Sequence, residues 1–178
     1  MYKNIDLDLG QISTIFFDVD GIFTDGSLYF MDNGSSMTKF NVYDGMGCNL
    51  LKEAGLELLI LTARHSDAVV KRFKELGITK IFTKVLKKRD FIKDYLKSND
   101  LAKHEVAFMG DDLQDLAAIN EVGVFFTSSN AIDIVKESAH YVTLSSGGNG
   151  AVREISDLII RSKGSTPLLE FNRYLKKR

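Results

Sequence analysis

Ile15-Phe16-Phe17-Asp18-Val19-Asp20-Gly21-Ile22-Phe23-Thr24-Asp25-Gly26 carries the strongest structural signal in the chain. An apolar run ends in two carboxylates spaced i, i+2, and a glycine follows at once. Such a run reads as a buried strand with a polar tip. In an extended chain, residues i and i+2 point the same way, so Asp18 and Asp20 are expected to emerge together. Two like charges that close are costly unless a cation or a shared proton offsets them. The pair is therefore the first candidate for chemistry.

Residues 12–18 read as a short strand whose apolar run Ile15-Phe16-Phe17 ends at Asp18, as in a strand buried on both faces of a parallel sheet. A β-hairpin is expected over 27–42, with arms 28–31 and 37–42 flanking Asp32-Asn33-Gly34, so that it overhangs the acidic tip. Helix and strand then alternate. The pattern predicts a helix over 46–54 closed by Gly55, a strand over 56–61 ending at Thr62, and a helix over 66–76 stopped by Gly77. A short strand over 80–83 and an amphipathic helix over 87–98 come next. Strand 106–109 runs into Gly110-Asp111-Asp112, followed by helix 113–121, strand 124–126, helix 131–137 and strand 141–144. A loop at Gly147-Gly148-Asn149-Gly150 leads into helix 151–162. This alternation implies right-handed crossovers and an α/β, three-layer parallel sheet flanked by helices. One domain is expected over 1–163, with 164–178 as a polar C-terminal tail, basic at its end.

The 178 residues suit one domain, and 26% charged with 44% hydrophobic residues is an ordinary globular balance. A net charge of −1 offers no case for nucleic acid. No apolar run reaches the length of a membrane span, and residues 1–6 lack the apolar core of a signal peptide. A cytoplasmic protein is the expectation. Cys48, the single cysteine, excludes an internal disulfide and a cysteine-rich zinc site. No pair among His65, His104 and His140 has metal-ligand spacing.

Ligands of such sheets bind beyond the carboxyl ends of the strands. The polar residues expected there are Asp18 and Asp20, Thr62 with Arg64, Lys88, and Asp111, Asp112 and Asp115. Oxygen donors without His or Cys favour Mg²⁺ over zinc. One carboxylate of the pair can act as nucleophile and form an aspartyl phosphate. Its neighbour can protonate the leaving oxygen and then activate water. A hydroxyl and an ammonium suit a phosphoryl group, whose transfer needs mostly positioning and charge neutralisation. Plainer readings stand beside these. Asp111, Asp112 and Asp115 also fit an N-cap with first-turn acids. Lys88 fits a solvated helix face, with Lys87 as the alternative phosphate ligand. Arg64 fits a surface ion pair as well as a substrate contact, Asp44-Gly45 a turn as well as a substrate contact, and Gly147 to Gly150 a flexible loop as well as an anion site.

Asp18 to Gly26 resembles the first motif of the haloacid dehalogenase superfamily of phosphatases. Leu61-Thr62, Lys88 and Gly110-Asp111-Asp112-Leu113-Gln114-Asp115 match its other three motifs in order. Phe40-Asn41-Val42-Tyr43-Asp44-Gly45-Met46-Gly47 and Gly147-Gly148-Asn149-Gly150-Ala151-Val152-Arg153-Glu154 are similar to the capless branch. That branch contains 3-deoxy-D-manno-octulosonate 8-phosphate (KDO 8-phosphate) phosphatase and phosphatases of nine-carbon 2-keto-3-deoxy sugar acids. The likeness covers residues 12–162, and neither interval between motifs has room for a cap domain.

The resemblance implies a Rossmann-like sheet with a β-hairpin flap. It also implies a Mg²⁺-dependent phosphatase that converts KDO 8-phosphate to KDO and phosphate in lipopolysaccharide precursor synthesis. It implies a homotetramer with active sites at subunit interfaces. Carried over residue by residue, Asp18 is nucleophile and magnesium ligand, and Asp20 is general acid/base with a metal-binding backbone carbonyl. Thr62 and Lys88 bind the phosphoryl group. Asp111 is a direct metal ligand, supported by Asp112 and Asp115 through water. Arg64, Asp44 and Gly45 are substrate contacts. The chain departs from the octulosonate type at Tyr43, where Arg is usual, and at Ala63, where Gly is usual. Lys84, Lys87 and Arg89 are candidates to replace the missing cation. Arg64 matches the eight-carbon type, whereas the nine-carbon type has Glu. The alternatives are a nine-carbon sugar-acid phosphatase, a phosphorylated receiver domain, and a non-catalytic module of a sugar-nucleotide pathway.

Overall fold

The computed structural model describes residues 8–177. Its centre is a six-stranded, wholly parallel sheet. In chain order the main strands are β1 (Thr14–Phe17), β4 (Glu57–Leu61), β5 (Ile81–Phe82), β6 (Val106–Met109), β7 (Val124–Thr127) and β8 (Tyr141–Val142). In space they run β5-β4-β1-β6-β7-β8. The chain winds from β1 out to β5, then returns to the other side of β1 with β6. The reversal opens a crevice at the carboxyl end of β1, where α/β sheets bind ligands.

Strand residues alternate between two cores. Ile15, Phe17, Leu58, Ile60, Ala107, Met109, Val124 and Phe126 face one. Phe16, Leu59, Leu61, Val106, Phe108 and Phe125 face the other. Because both faces are covered, these strands read as unbroken apolar runs. The first core is closed by α1 (Val42–Glu53), α2 (Asp67–Glu75) and α6 (Ala151–Ser162), through Leu50, Leu51, Phe73, Val152, Ile155 and Ile159. The second is closed by α3 (Lys88–Ser98) and α5 (Asp133–Ser138), through Ile92 and Val135. Burying each large apolar side chain contributes on the order of 1.5–3 kcal/mol, so the sheet is a rigid base for its rim.

Register sets that rim. Phe17 lies opposite Ile60 and Met109, and Met109 opposite Phe126. Asp18, Leu61-Thr62 and Gly110 therefore leave the sheet at neighbouring heights. The expected helix 113–121 is instead a short α4 (Leu113–Leu116) followed by a 3₁₀ turn, Ile119–Glu121.

Two segments differ more from expectation. The hairpin strands β2 (Tyr29–Phe30) and β3 (Ser36–Met37) are two residues each. The expected second arm ends early because Asn41 caps α1, its side chain accepting from Tyr43 N at 2.8 Å. Residues 164–178, expected as a tail, include the helix α7 (Pro167–Lys176). Thr166 caps it, Pro167 occupies the first turn, and Phe171 packs on the first core beside α1. A helix this short gains its stability from docking rather than from propensity. Among the described residues, no helix is long and apolar enough to cross a membrane.

Candidate active site

Asp18 directly follows β1, and its N–H still donates to Met109 O at 2.9 Å. The chain then turns sharply, with the N–H groups of Ile22, Phe23 and Thr24 directed at Val19 O. Asp18 is thus held inward and buried, while Asp20 sits half-buried one step up the turn. Both line one cavity of about 300 Å³, together with Gly21, Gly26, Thr62, Ala63, Arg64, Lys88, Asp111, Asp112, Gln114 and Asp115.

Lys88 opens α3 and is only 2% exposed. Its Nζ lies 2.7 Å from Asp18 Oδ1 and 2.5 Å from Asp115 Oδ1. Of the two adjacent lysines Lys88 lines the cavity, whereas Lys87 is exposed and does not. Asp115 is 1% exposed, and its other oxygen accepts from the N–H groups of Asp111 and Asp112 at 3.0 and 3.2 Å. Asp115 therefore fixes both the lysine and the acidic loop through direct bonds. Asp112 caps α4, accepting from Leu113 N at 2.7 Å, while remaining on the cavity wall. Thr62 is buried at the end of β4, and its Oγ1 accepts from Arg64 N at 3.3 Å, which leaves the hydroxyl proton to donate. Arg64 Nη1 reaches Asp20 Oδ2 at 3.3 Å.

Oxygens of Asp18, Asp111 and Asp115 lie within 4.8 Å of one another. Burial, then Asp115, push the Asp18 carboxyl up to about 7, against the pull of Lys88. Burial, then Asp115, Asp18 and Asp112, push Asp111 up to about 8. Lys88 itself is raised: burial disfavours its charge, but Asp18 and Asp115 outweigh burial. One ammonium among three crowded carboxylates leaves excess negative charge in an all-oxygen donor set. That is the setting a hard divalent cation fits.

The curated relatives show the family. The chain is 33% identical over 162 residues to the 3-deoxy-D-manno-octulosonate 8-phosphate phosphatase of Haemophilus influenzae, covering 91% of this chain and 90% of that one. The chain belongs to the KDO 8-phosphate phosphatase family. Residues 74–155 also match the family of haloacid dehalogenase-like hydrolases. Among solved structures, the Moraxella catarrhalis KDO 8-phosphate phosphatase in complex with magnesium ion, phosphate ion and KDO superposes with a TM-score of 0.86. It has 33% identity and covers 96% of this chain and 95% of that one. The cobalt-bound H. influenzae phosphatase gives a TM-score of 0.83 at 34% identity, covering 88% of this chain and 92% of that one. The family's fold is the one described above: a Rossmann-like parallel sheet with a hairpin and no cap domain.

Two residues expected as substrate contacts, Asp44 and Gly45, do not line the cavity. Asp44 is 1% exposed and points away from the cavity, accepting from Gly150 N at 3.2 Å and Arg153 N at 3.1 Å. The acid on α1 thus caps the amino end of α6 and gives the glycine loop an internal anion. Gly45 is buried against Arg72, whose Nη2 would lie 2.4 Å from an added Cβ. Arg89, one candidate to replace the cation missing at Tyr43, is paired with Glu121 at 2.8 Å.

Other contributors owe their roles to tertiary contacts. Gly21, at φ +76°, lies so close to Asp111 that an added Cβ would stand 1.9 Å from Oδ2. Ser128 Oγ donates to Gly21 O at 3.0 Å, Thr127 Oγ1 to Gly110 O at 2.7 Å, and Asn130 Oδ1 accepts from Gly147 N at 2.7 Å. Thr127, which ends β7, and Ser128 after it thus hold the two acidic loops to one strand end, while Asn130 holds the glycine loop. Gln114 belongs to the fourth motif but has no role implied by the resemblance, and only its place on α4 puts it on the cavity wall.

Proposed function

We propose that the protein is a magnesium-dependent phosphomonoesterase that hydrolyses KDO 8-phosphate to KDO and phosphate. The observation that carries this reading is the buried Asp18–Lys88–Asp115 bridge beside Asp111 at the sheet's switch point, in a chain of this family. Asp18, Asp111 and the backbone carbonyl of Asp20 would hold the magnesium ion. When bound, the ion neutralises the carboxylates and the oxygens of the transferring phosphoryl group.

An Asp18 carboxylate oxygen attacks phosphorus in line, and the ester P–O bond breaks as Asp20 gives its proton to the departing sugar oxygen. Asp20 then takes a proton from the water that attacks phosphorus, releasing phosphate and restoring Asp18. Thr62 and Lys88 hold the phosphoryl oxygens throughout, and Lys88 keeps Asp18 aimed. Arg64 meets the acidic end of the substrate. The reading extends to a cytoplasmic homotetramer. Supporting it, Leu28, Phe30, Met31, Met37, Val42 and Tyr43 form an exposed apolar surface around the hairpin, with Phe30 71% exposed. Isolated exposed apolar residues are ordinary, but a cluster marks a contact surface.

The test is phosphate release across a panel of sugar phosphates, with Mg²⁺ and with chelator. KDO 8-phosphate is expected to show the highest kcat/KM, lost on chelation and in Asp18→Asn. A higher value for a nine-carbon sugar-acid 9-phosphate would move the substrate, and equal values for unrelated phosphomonoesters would refute narrow specificity.

A further inference from the structure

A second cavity, of about 260 Å³, lies between the hairpin and the amino end of α2. Asp20 and Arg64 line both this flap cavity and the catalytic cavity. Their ion pair, Arg64 Nη1 to Asp20 Oδ2 at 3.3 Å, is the ridge between them.

We infer that Arg64 is a positioning residue that passes recognition of the substrate's carboxylate on to Asp20, so that an acidic substrate speeds turnover as well as binding more tightly. This rests on the phosphatase reading above. The pair is built to exchange partners. Its side chains are 50% and 35% exposed, and pairs of that kind contribute only about 0–1 kcal/mol. The contact is a single one through Nη1, whereas a guanidinium has five donors in a fork that fits a carboxylate bidentately. A sugar acid whose phosphate sits over Asp18 and whose carboxylate enters the flap cavity offers that better partner.

The base of the arginine is fixed, because its N–H is held by Thr62 Oγ1. Exchange therefore needs only rotation of the side chain. Once released, the Asp20 carboxyl is free to turn toward the ester oxygen. A sugar phosphate lacking the carboxylate leaves the pair closed and Asp20 turned aside. Selection then acts in the transition state instead of as uniform binding. The Arg64–Asp20 contact is thus a latch that the correct substrate opens.

The experiment measures kcat and KM separately for wild type, Arg64→Gln and Arg64→Lys, with Mg²⁺, on KDO 8-phosphate and on a hexose 6-phosphate. Wild type is expected to show a kcat on the sugar acid about three- to five-fold above that on the hexose phosphate, the most that opening so weak a pair can supply. Arg64→Gln removes the latch. It is expected to raise kcat on the hexose phosphate several-fold, shrinking the kcat ratio toward one, while KM for the sugar acid rises. Arg64→Lys, which can pair with either carboxylate, is expected to restore part of the ratio. A rise in KM with an unchanged kcat ratio, or a fall in kcat on both substrates, would overturn the latch. A wild-type kcat ratio near one would do the same. Failure of wild type to release phosphate from the sugar acid would instead overturn the phosphatase reading, and the latch with it.

Discussion

Lys88 Nζ stands 2.7 Å from Asp18 Oδ1, with both side chains at least nine-tenths buried. The lysine also bridges to Asp115 at 2.5 Å, so one cation offsets two buried acids. Removing one partner of a buried pair leaves an uncompensated charge, at a cost of about 3–5 kcal/mol. Lys88→Met is expected to lower metal-free stability by about that amount in urea unfolding and to abolish turnover. A loss under about 0.5 kcal/mol, the scale of an ordinary surface substitution, would show that the bridge contributes little to the fold.

The acidic cluster also sets a pH dependence. Burial and mutual repulsion raise Asp18 to about 7 and Asp111 to about 8 in the folded protein, from 3.8 for an unperturbed aspartate. Between those limits the folded state holds protons that the unfolded chain has lost, so this contribution falls as pH rises from about 4 to about 8. The metal-free melting temperature is expected to decline across that window. Mg²⁺ competes with those protons, so its stabilisation should grow over the same range. Melting curves with chelator and with Mg²⁺ at several pH values check both slopes. A Mg²⁺ increment independent of pH would place the ion away from these carboxylates.

Gly21 is required by contact as well as by its backbone angle. Its φ of +76° disfavours any side chain, and a Cβ would collide with Asp111 Oδ2. Gly34, at φ +81°, would have nothing within 4 Å of an added Cβ and serves as control. Gly34→Ala is expected to cost about 1 kcal/mol, the ordinary strain of a positive φ. Gly21→Ala should in addition displace Asp111 and weaken Mg²⁺ activation by about ten-fold or more, the scale seen when groups supporting a metal ligand are lost. Titrating activity with Mg²⁺ reads this. Equal behaviour of the two variants would remove the contact from the account.

Asp44 provides the opposite case, an acid within a family motif that serves the fold. Its carboxylate accepts from Gly150 N and Arg153 N. Losing such a helix cap typically costs about 1–2 kcal/mol. Asp44→Ala is expected to lower the melting temperature accordingly and leave KM for the sugar-acid phosphate within about two-fold, since Asp44 lies outside the catalytic cavity. A large rise in KM with unchanged stability would return Asp44 to the substrate.

What the linear chain shows well is whatever depends on neighbours in sequence. Apolar runs buried on both faces announce β1, β4, β6 and β7. Gly55 and Gly77 close α1 and α2 as expected, both at positive φ. The i, i+2 carboxylates fall beside the cavity because a strand ends where its apolar run ends. The hairpin arms and α7 are less legible. In the first, the Asn41 cap competes with strand extension. In the second, docking against α1 supplies the stability that ten residues lack alone.

By itself, the amino-acid sequence determined the layers, the strand ends and the set of groups available for chemistry, since these follow from local periodicity and from residue type. Tertiary structure decided which of those groups share a space. Strand register and the reversal at β1 bring residues 18, 62, 88, 111 and 115 to one cavity, close enough for charge to act between them. The same packing turned Asp44 to a helix end, placed Gly21 against Asp111, and set Arg64 on Asp20 between two cavities. Those are relations across distant parts of the chain. Their strength depends on separations of a few ångströms, which the spacing of residues along a sequence does not specify.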